Sequence, residues 1–190
     1  MKFKALVLTV LVAASTLLQG CFPLAVTGMG AAALMASDRR TTGMYIEDES
    51  IEWKVIARMR GQYPGLHVNA TSFNRRVLLT GEAPDPETRA KIEASVRGLE
   101  NVREVTNEIQ IAGVSSLASR GNDALVTSNV KARMVNNGRF SPNHVKVVTE
   151  QGAVFLMGLV TQPEGDAAVE IARNTSGVGR VVKVFEYVAP

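Results

Sequence analysis

The feature that most constrains the fold is an internal repeat. The segment VLLTG at 77–81 recurs as VFLMG at 154–158, 77 positions later, and His67 corresponds to His144 at the same spacing. Elsewhere in the repeat the spacing shortens to 75, as between Met59 and Met134. Such small drifts indicate short loop insertions between elements of constant length. The chain therefore predicts two small domains of one fold in tandem.

Each copy has the pattern helix, strand, strand, helix, strand. In the first copy Ile51, Val55 and Met59 share a helical face, and strand-like segments follow at about 66–72, 76–82 and 102–111. The second copy repeats the pattern with a helix face at Val126, Val130 and Met134 and strands at about 143–149, 153–159 and 178–188. Because a strand–helix–strand connection makes a parallel crossover, we predict an α+β fold. Each domain then has a three-stranded mixed sheet with two helices on one face.

The repeat also sets the domain boundaries. We predict a first domain at 47–112, a linker at 113–121 and a second domain at 122–190. Asn122 or Asp123 is expected to cap the first helix of the second domain, because short polar side chains accept hydrogen bonds from the free amides of a helix start.

The N-terminus is typical of an export signal. Lys2 and Lys4 precede an apolar stretch at 5–18, whose length suits a secretory signal and is short for a membrane span. We predict a signal peptide at 1–20 and a flexible tether at 21–46.

The end of this stretch, Leu18-Gln19-Gly20-Cys21, resembles the lipobox of bacterial lipoproteins, and Cys21 is the only cysteine in the chain. The resemblance implies cleavage before Cys21 and its acylation, as in palmitate-modified lipoproteins. Phe22 follows, where inner-membrane lipoproteins commonly have Asp, so the resemblance implies the outer membrane. A plain signal peptide with an incidental thiol is the alternative.

Composition excludes several function classes. A single cysteine forms no internal disulfide or multi-cysteine zinc site. His67 and His144 lie in separate domains, so no metal site and no cofactor are expected. Aromatic residues make up 5% of the chain, too few for a nucleic-acid stacking platform. No nucleophile–base pair or phosphate-binding loop is present, and we expect no enzyme.

A helix–strand–strand–helix–strand unit with V-x-L-x-G in its second strand resembles a BON domain. Two such units behind a lipobox resemble the dual-BON lipoproteins of the Gram-negative outer membrane. The resemblance implies a lipid-anchored protein on the periplasmic side. It would bind anionic phospholipid through the first helix of its second domain and support envelope integrity. The expected contact residues are Asn122, Asp123, Leu125, Ser128, Asn129, Lys131 and Arg133. Related lipoproteins have Trp at the position of Leu125, so this chain departs from that pattern.

The charge distribution independently favours the second domain. Residues 45–113 carry nine Lys/Arg and eleven Asp/Glu, whereas 114–190 carry eight and six. Within 120–149, five basic residues oppose only Asp123: Arg120, Lys131, Arg133, Arg139 and Lys146. An anionic membrane attracts such a segment. The alternative is that this is an ordinary solvated face.

Two apolar side chains have alternative interpretations. Leu125 lies one position before the core-facing Val126, so it is exposed, or it packs into the core or the seam between the domains. Trp53 marks a contact with the other domain or with a partner, or it is a half-buried packing residue, which is the favoured interpretation. A protein-binding adaptor for outer-membrane assembly machinery, using Trp53 or the acidic first domain, is therefore the competing function. A purely structural spacer is a third.

Overall fold

The computed structural model describes residues 38–189. The predicted signal peptide, Cys21 and most of the predicted tether lie outside the described residues. The first domain contains α1 (Thr42–Gln62), β1 (Val68–Phe73), β2 (Arg76–Ala83), α2 (Pro86–Arg97), β3 (Glu104–Asn107) and β4 (Gln110–Ile111). The second contains α3 (Leu117–Val135), a short 3-10 helix (Pro142–His144), β5 (Val145–Glu150), β6 (Ala153–Val160), α4 (Gln162–Arg173) and β7 (Arg180–Tyr187).

The two sheets share one topology. In each, a hairpin of two antiparallel strands is followed by a parallel strand, giving the orders β1-β2-β3 and β5-β6-β7. The hairpin loops have two residues with positive φ, Asn74 (53°) and Arg75 (63°) in the first, Gln151 (47°) and Gly152 (72°) in the second. Positive φ at both positions matches the right-handed twist of the strands. The predicted α+β fold with mixed sheets is confirmed.

The first sheet differs from the prediction in its last strand. One strand was expected at about 102–111, but β3 ends at Asn107 and β4 starts at Gln110. Ile109 lies between them, only 1% exposed in the core, and its amide donates to the Asn107 side chain. This break lets β4 pair separately with β2, so the first sheet has four strands.

Two helices start earlier than predicted. The side chain of Ser116 caps α3 by accepting from the Ser119 amide, so the expectation of a cap at Asn122 or Asp123 is wrong. Residues 117–121 of the predicted linker are helical. Similarly, Thr41 caps α1, so residues 42–46 of the predicted tether are the first five residues of this helix. In both cases a hydroxyl upstream of the apolar repeat supplies the cap.

Each domain has a core between its helices and one face of its sheet. In the first, Ile51 and Val55 of α1 pack with Ile92 of α2 against Val77 and Leu79. The second core is equivalent, with these residues among its members: Val126, Val130, Met134, Val154, Leu156 and Ala168. Both helices of a domain therefore cover the same sheet face, as predicted.

The opposite sheet faces pack on each other. Leu78 and Phe73 of the first domain join Phe155, Met157 and Val184 of the second in one buried cluster, the domain seam. Successive strand residues point to opposite faces, so β2 and β6 are buried on both. This explains why β6 is apolar along its whole length and why β2 is apolar from Val77 to Leu79, without alternation. No helix among residues 38–189 is long and apolar enough to cross a membrane.

Gly81 and Gly158 keep the hairpins tightly packed. A Cβ atom at Gly81 would lie 2.0 Å from the carbonyl oxygen of His67, and one at Gly158 would lie 2.2 Å from that of His144. Real Cβ atoms do not approach backbone so closely. The repeated glycines and histidines therefore mark one structural contact, made once in each domain.

Candidate functional site

The core contacts of α3 fix which of its faces meets solvent. Val126, Val130 and Met134 are buried at 3% exposure or less and follow the helical repeat. Asp123 lies on the same buried face, at 5% exposure. The opposite face of α3 consequently points away from the domain.

That outer face carries an apolar stripe. Its large members are Leu117 (82% exposed), Leu125 (65%) and Val135 (66%). On this face the other exposed residues are small: Ala118, Gly121, Ala124, Ser128 and Ala132. The alternative that Leu125 tucks into the core is therefore wrong. An exposed row of this kind is what a surface-binding amphipathic helix presents.

Six of the seven expected contact residues lie on exposed parts of α3: Asn122, Leu125, Ser128, Asn129, Lys131 and Arg133. Helical spacing places Lys131 on one flank of the apolar stripe and Arg133 on the other. The Ser128 hydroxyl donates to the carbonyl oxygen of Ala124 at 2.9 Å and keeps a free acceptor lone pair.

The seventh residue, Asp123, has a structural role in the fold. Its carboxylate accepts hydrogen bonds from the amides of Gln151 (2.9 Å) and Gly152 (2.8 Å), which form the β5–β6 turn. Asp48 does the same in the first domain, accepting from the amides of Asn74 (2.8 Å) and Arg75 (2.7 Å). The repeat equivalence of Asp48 and Asp123 was the sequence signal for this role.

Internal ion pairs reduce the basic surface expected around α3. Lys146 pairs with Glu52 of the first domain at 2.8 Å, and Arg139 pairs with Glu170 at 2.7 Å. Within residues 38–189, no carboxylate lies within ion-pair distance of the other three basic residues: Arg120, Lys131 and Arg133. Desolvation, and then the like charge of Lys146, lower the pKa of Lys131. Its ammonium therefore gains from an anionic partner.

The outer face of α1 is different in charge. Trp53 is 64% exposed and Ile46 62%, so the interpretation of Trp53 as a half-buried packing residue is wrong. Glu47, Glu49 and Glu52 lie on the same helix. These carboxylates would be repelled by an anionic surface. In contrast, α3 has no exposed acidic residue along its length.

An open cleft of about 510 Å³ runs beside α3, where β5 of the second domain approaches β1 of the first. Its charged and titratable lining residues are His67, Arg120, Asp123, Lys146 and Glu150. The Arg120 guanidinium donates a hydrogen bond of 2.8 Å to the carbonyl oxygen of Ser115. The Lys146 ammonium donates to the carboxylate of Glu52. The cleft therefore lies between the two domains and has charged groups among its lining residues.

Comparisons with known proteins place these features in context. The BON domain family model matches residues 47–113 and 122–189. The outer membrane lipoprotein DolP of Haemophilus influenzae is 40% identical over 186 residues, which covers 95% of each chain. The 21 kDa hemolysin of Actinobacillus pleuropneumoniae is 32% identical over 154 residues, covering 80% of this chain and 79% of that protein.

Proposed function

The chain belongs to the BON domain family, and we propose that it is an outer-membrane lipoprotein that binds anionic phospholipid through α3. Acylated Cys21 would anchor it on the periplasmic side, and the protein would support envelope integrity without acting as an enzyme. Similarity to DolP over 95% of both chains supports the anchored location. Several acyl chains make such an anchor stable, whereas one is marginal.

The single observation that carries lipid binding is the exposed face of α3. Three large apolar side chains stand out from the domain, with basic residues on both flanks and no exposed acid on the helix. Each Leu moved from water into lipid contributes about 1.5–3 kcal/mol. Each basic residue near an anionic surface contributes about 1 kcal/mol.

The proposed contacts follow from position on the helix. Leu125 inserts between lipid chains, and Lys131 and Arg133 approach the phosphates from either side. Three polar residues beside the stripe bond to head groups: Asn122, Ser128 and Asn129. Asp123 is left out of the contact because its carboxylate is buried and occupied by the β5–β6 turn.

The acyl anchor and α3 would act together. Anchoring holds the protein at the membrane, so contact by α3 is an intramolecular event at high effective concentration. A weak helix–lipid interaction is then sufficient, and it adds selectivity for anionic patches.

The test is liposome flotation of residues 22–190, which lack the acylated cysteine. We expect binding to phosphatidylglycerol vesicles and not to phosphatidylcholine, weakened at high salt by screening. Leu125→Glu should reduce binding at least tenfold, because it places a carboxylate at the inserting position. Ile46→Glu is the matched control, since Ile46 has similar exposure (62%) on the first domain's helix. Unchanged binding of a folded Leu125→Glu protein would refute insertion.

A second candidate function rests on the exposed Trp53. An exposed Trp beside an exposed Ile on α1 is typical of a protein-binding surface. The chain would then be an adaptor, for example for outer-membrane assembly machinery. A lipid-free complex that survives high salt and is lost in Trp53→Ala would favour this function over lipid binding.

A further inference from the structure

Three side chains of metal-ligand type meet where the two domains join. His67 precedes β1, Glu82 lies on β2, and Glu150 ends β5 of the second domain. One nitrogen and two carboxylate oxygens of this trio lie within 4.8 Å of one another. His67 Nδ1 is 3.1 Å from Glu82 Oε2 and 3.8 Å from Glu150 Oε1.

Within residues 38–189, the two carboxylates of the trio share a single ion-pair partner, His67. Glu82 is 0% exposed and Glu150 6%. Their other contacts are neutral donors: Glu82 accepts from the Ser115 amide at 3.2 Å and the Gln151 side chain at 2.5 Å, and Glu150 accepts from the Asn69 side chain at 3.1 Å. The nearby cations Arg120 and Lys146 are directed to Ser115 and Glu52 instead. Buried charge is costly without a counterion.

The ring of His67 is oriented for coordination. Its Nδ1 faces both carboxylates, while its Nε2 lies 3.1 Å from the side-chain amide of Asn69. That amide can donate to a bare Nε2 or, rotated, accept from Nε2–H through its oxygen. With a cation at Nδ1 the ring proton sits on Nε2 and the oxygen of the rotated Asn69 amide accepts it, in exchange for the hydrogen bond that this amide otherwise donates to Glu150 Oε2 at 3.1 Å. Metal-bound histidines are commonly held by such a second hydrogen bond.

The cleft beside α3 supplies access. His67, Asn69 and Glu150 line it, so an ion can enter from solvent and retain bound water. Ligand bonds of about 2.0–2.2 Å place neighbouring ligand atoms of a tetrahedral site about 3.4 Å apart. The distances of 3.1 and 3.8 Å from His67 Nδ1 bracket this value.

We propose that His67, Glu82 and Glu150 bind one divalent transition-metal ion, of the zinc type, and that this ion bridges the two BON domains. An imidazole with two carboxylates suits Zn²⁺ better than Mg²⁺ or Ca²⁺, which prefer oxygen ligands alone. Because two ligands come from one domain and the third from the other, the bound ion stabilises the seam. This proposal differs from the expectation of no metal site. That expectation rested on the separation of His67 from His144 and did not consider Glu82 and Glu150 as ligands.

His144 is the matched control within the chain. It occupies the equivalent position in the second domain and contacts Glu164 at 3.2 Å. Glu164 is its only carboxylate within ion-pair distance among residues 38–189, and that group is already paired with Arg39 at 2.6 Å. His144 therefore lacks the second carboxylate that a site requires.

The experiment is titration of the mature, chelator-treated protein in detergent with Zn²⁺ by calorimetry, and with Co²⁺ by visible absorption. We expect one ion per chain, a rise in Tm and Co²⁺ ligand-field bands. His67→Gln and Glu150→Gln should each weaken binding at least tenfold, whereas His144→Gln should not. Circular dichroism verifies folding, and if His67→Gln fails to fold, Glu150→Gln decides. No binding by the folded protein, or equal binding in Glu150→Gln, overturns the proposal. Lipid flotation is a separate measurement, so either proposal can fail alone.

Discussion

At the scale of single residues, two equivalent aspartates organise the hairpins. Asp48 and Asp123 each reach from the first helix of a domain to the turn amides of its hairpin. Asp48 also accepts from the buried hydroxyl of Ser72 at 2.7 Å and pairs with Arg40 at 2.9 Å. Charge-assisted bonds of this kind are about twice as strong as neutral ones. Because they satisfy buried groups, these aspartates are parts of the fold in both domains.

Glu164 is a residue whose ionisation we expect to control acid stability. Burial alone would raise its pKa, but hydrogen bonds from Arg39 and Thr161 outweigh burial and lower the pKa from 4.5 to about 2. A carboxyl with a lowered folded-state pKa stabilises the fold above its unfolded pKa, and this contribution is lost as pH falls. The loss should therefore occur between pH 4.5 and about 2.

The corresponding variant is Glu164→Gln. It should be less stable than the wild type at pH 7, by on the order of 2–3 kcal/mol, and the difference should shrink as pH falls towards 2. Urea unfolding over this pH range measures it. Glu170→Gln, which removes an exposed carboxylate on the same helix, is the control and should show little change. A constant difference at every pH would contradict the assignment.

At the scale of elements, α1 and α3 are copies with different outer faces. Both bury the same helical positions and both carry an aspartate to a hairpin turn. The outer face of α1 carries Trp53 and Ile46 among acids, whereas that of α3 carries Leu117, Leu125 and Val135 between basic flanks. The buried face is set by the fold, so divergence between the copies is confined to the outside, where function can change without loss of stability.

Glycine has opposite roles in two elements of the second domain. Gly121 lies inside α3 with nothing within 4 Å of an added Cβ, so Gly121→Ala should stabilise the protein by about 0.5–1 kcal/mol. Gly158→Ala forces a Cβ into the His144 carbonyl and should destabilise it by about 2 kcal/mol or more. Thermal unfolding of both variants measures this contrast. If both variants were stabilised, or both destabilised, the environments assigned to Gly121 and Gly158 would be wrong.

At the scale of the whole molecule, the two domains are joined by an extensive buried seam. Both domains, within residues 38–189, belong to one compact unit. The seam combines the apolar cluster around Leu78 and Phe155 with polar links such as Lys146–Glu52 and Asn69–Glu150. In each domain, the sheet face turned away from the helices is buried only by the sheet of the other domain. We therefore expect one unfolding transition rather than two.

Phe155→Ala tests the seam. Phe155 is 1% exposed and belongs to the second domain, but it packs on the first. Its truncation should cost about 3–5 kcal/mol, and hydrogen exchange should show faster opening in both domains. Leu125→Ala, at 65% exposure, is the control and should leave stability nearly unchanged. If only the second domain lost protection, the domains would be independent.

The sequence by itself determined the repeat, the order of elements, the mixed sheets and the helix faces. These follow from periodicity and from short-range turn chemistry, which a repeat presents twice. It also indicated which helix is basic. Only the tertiary structure decided that Asp123 is buried, that Trp53 and Leu125 are exposed, and that Lys146 is neutralised by Glu52. The meeting of His67, Glu82 and Glu150 belongs with these, since it depends on packing between residues far apart in the chain.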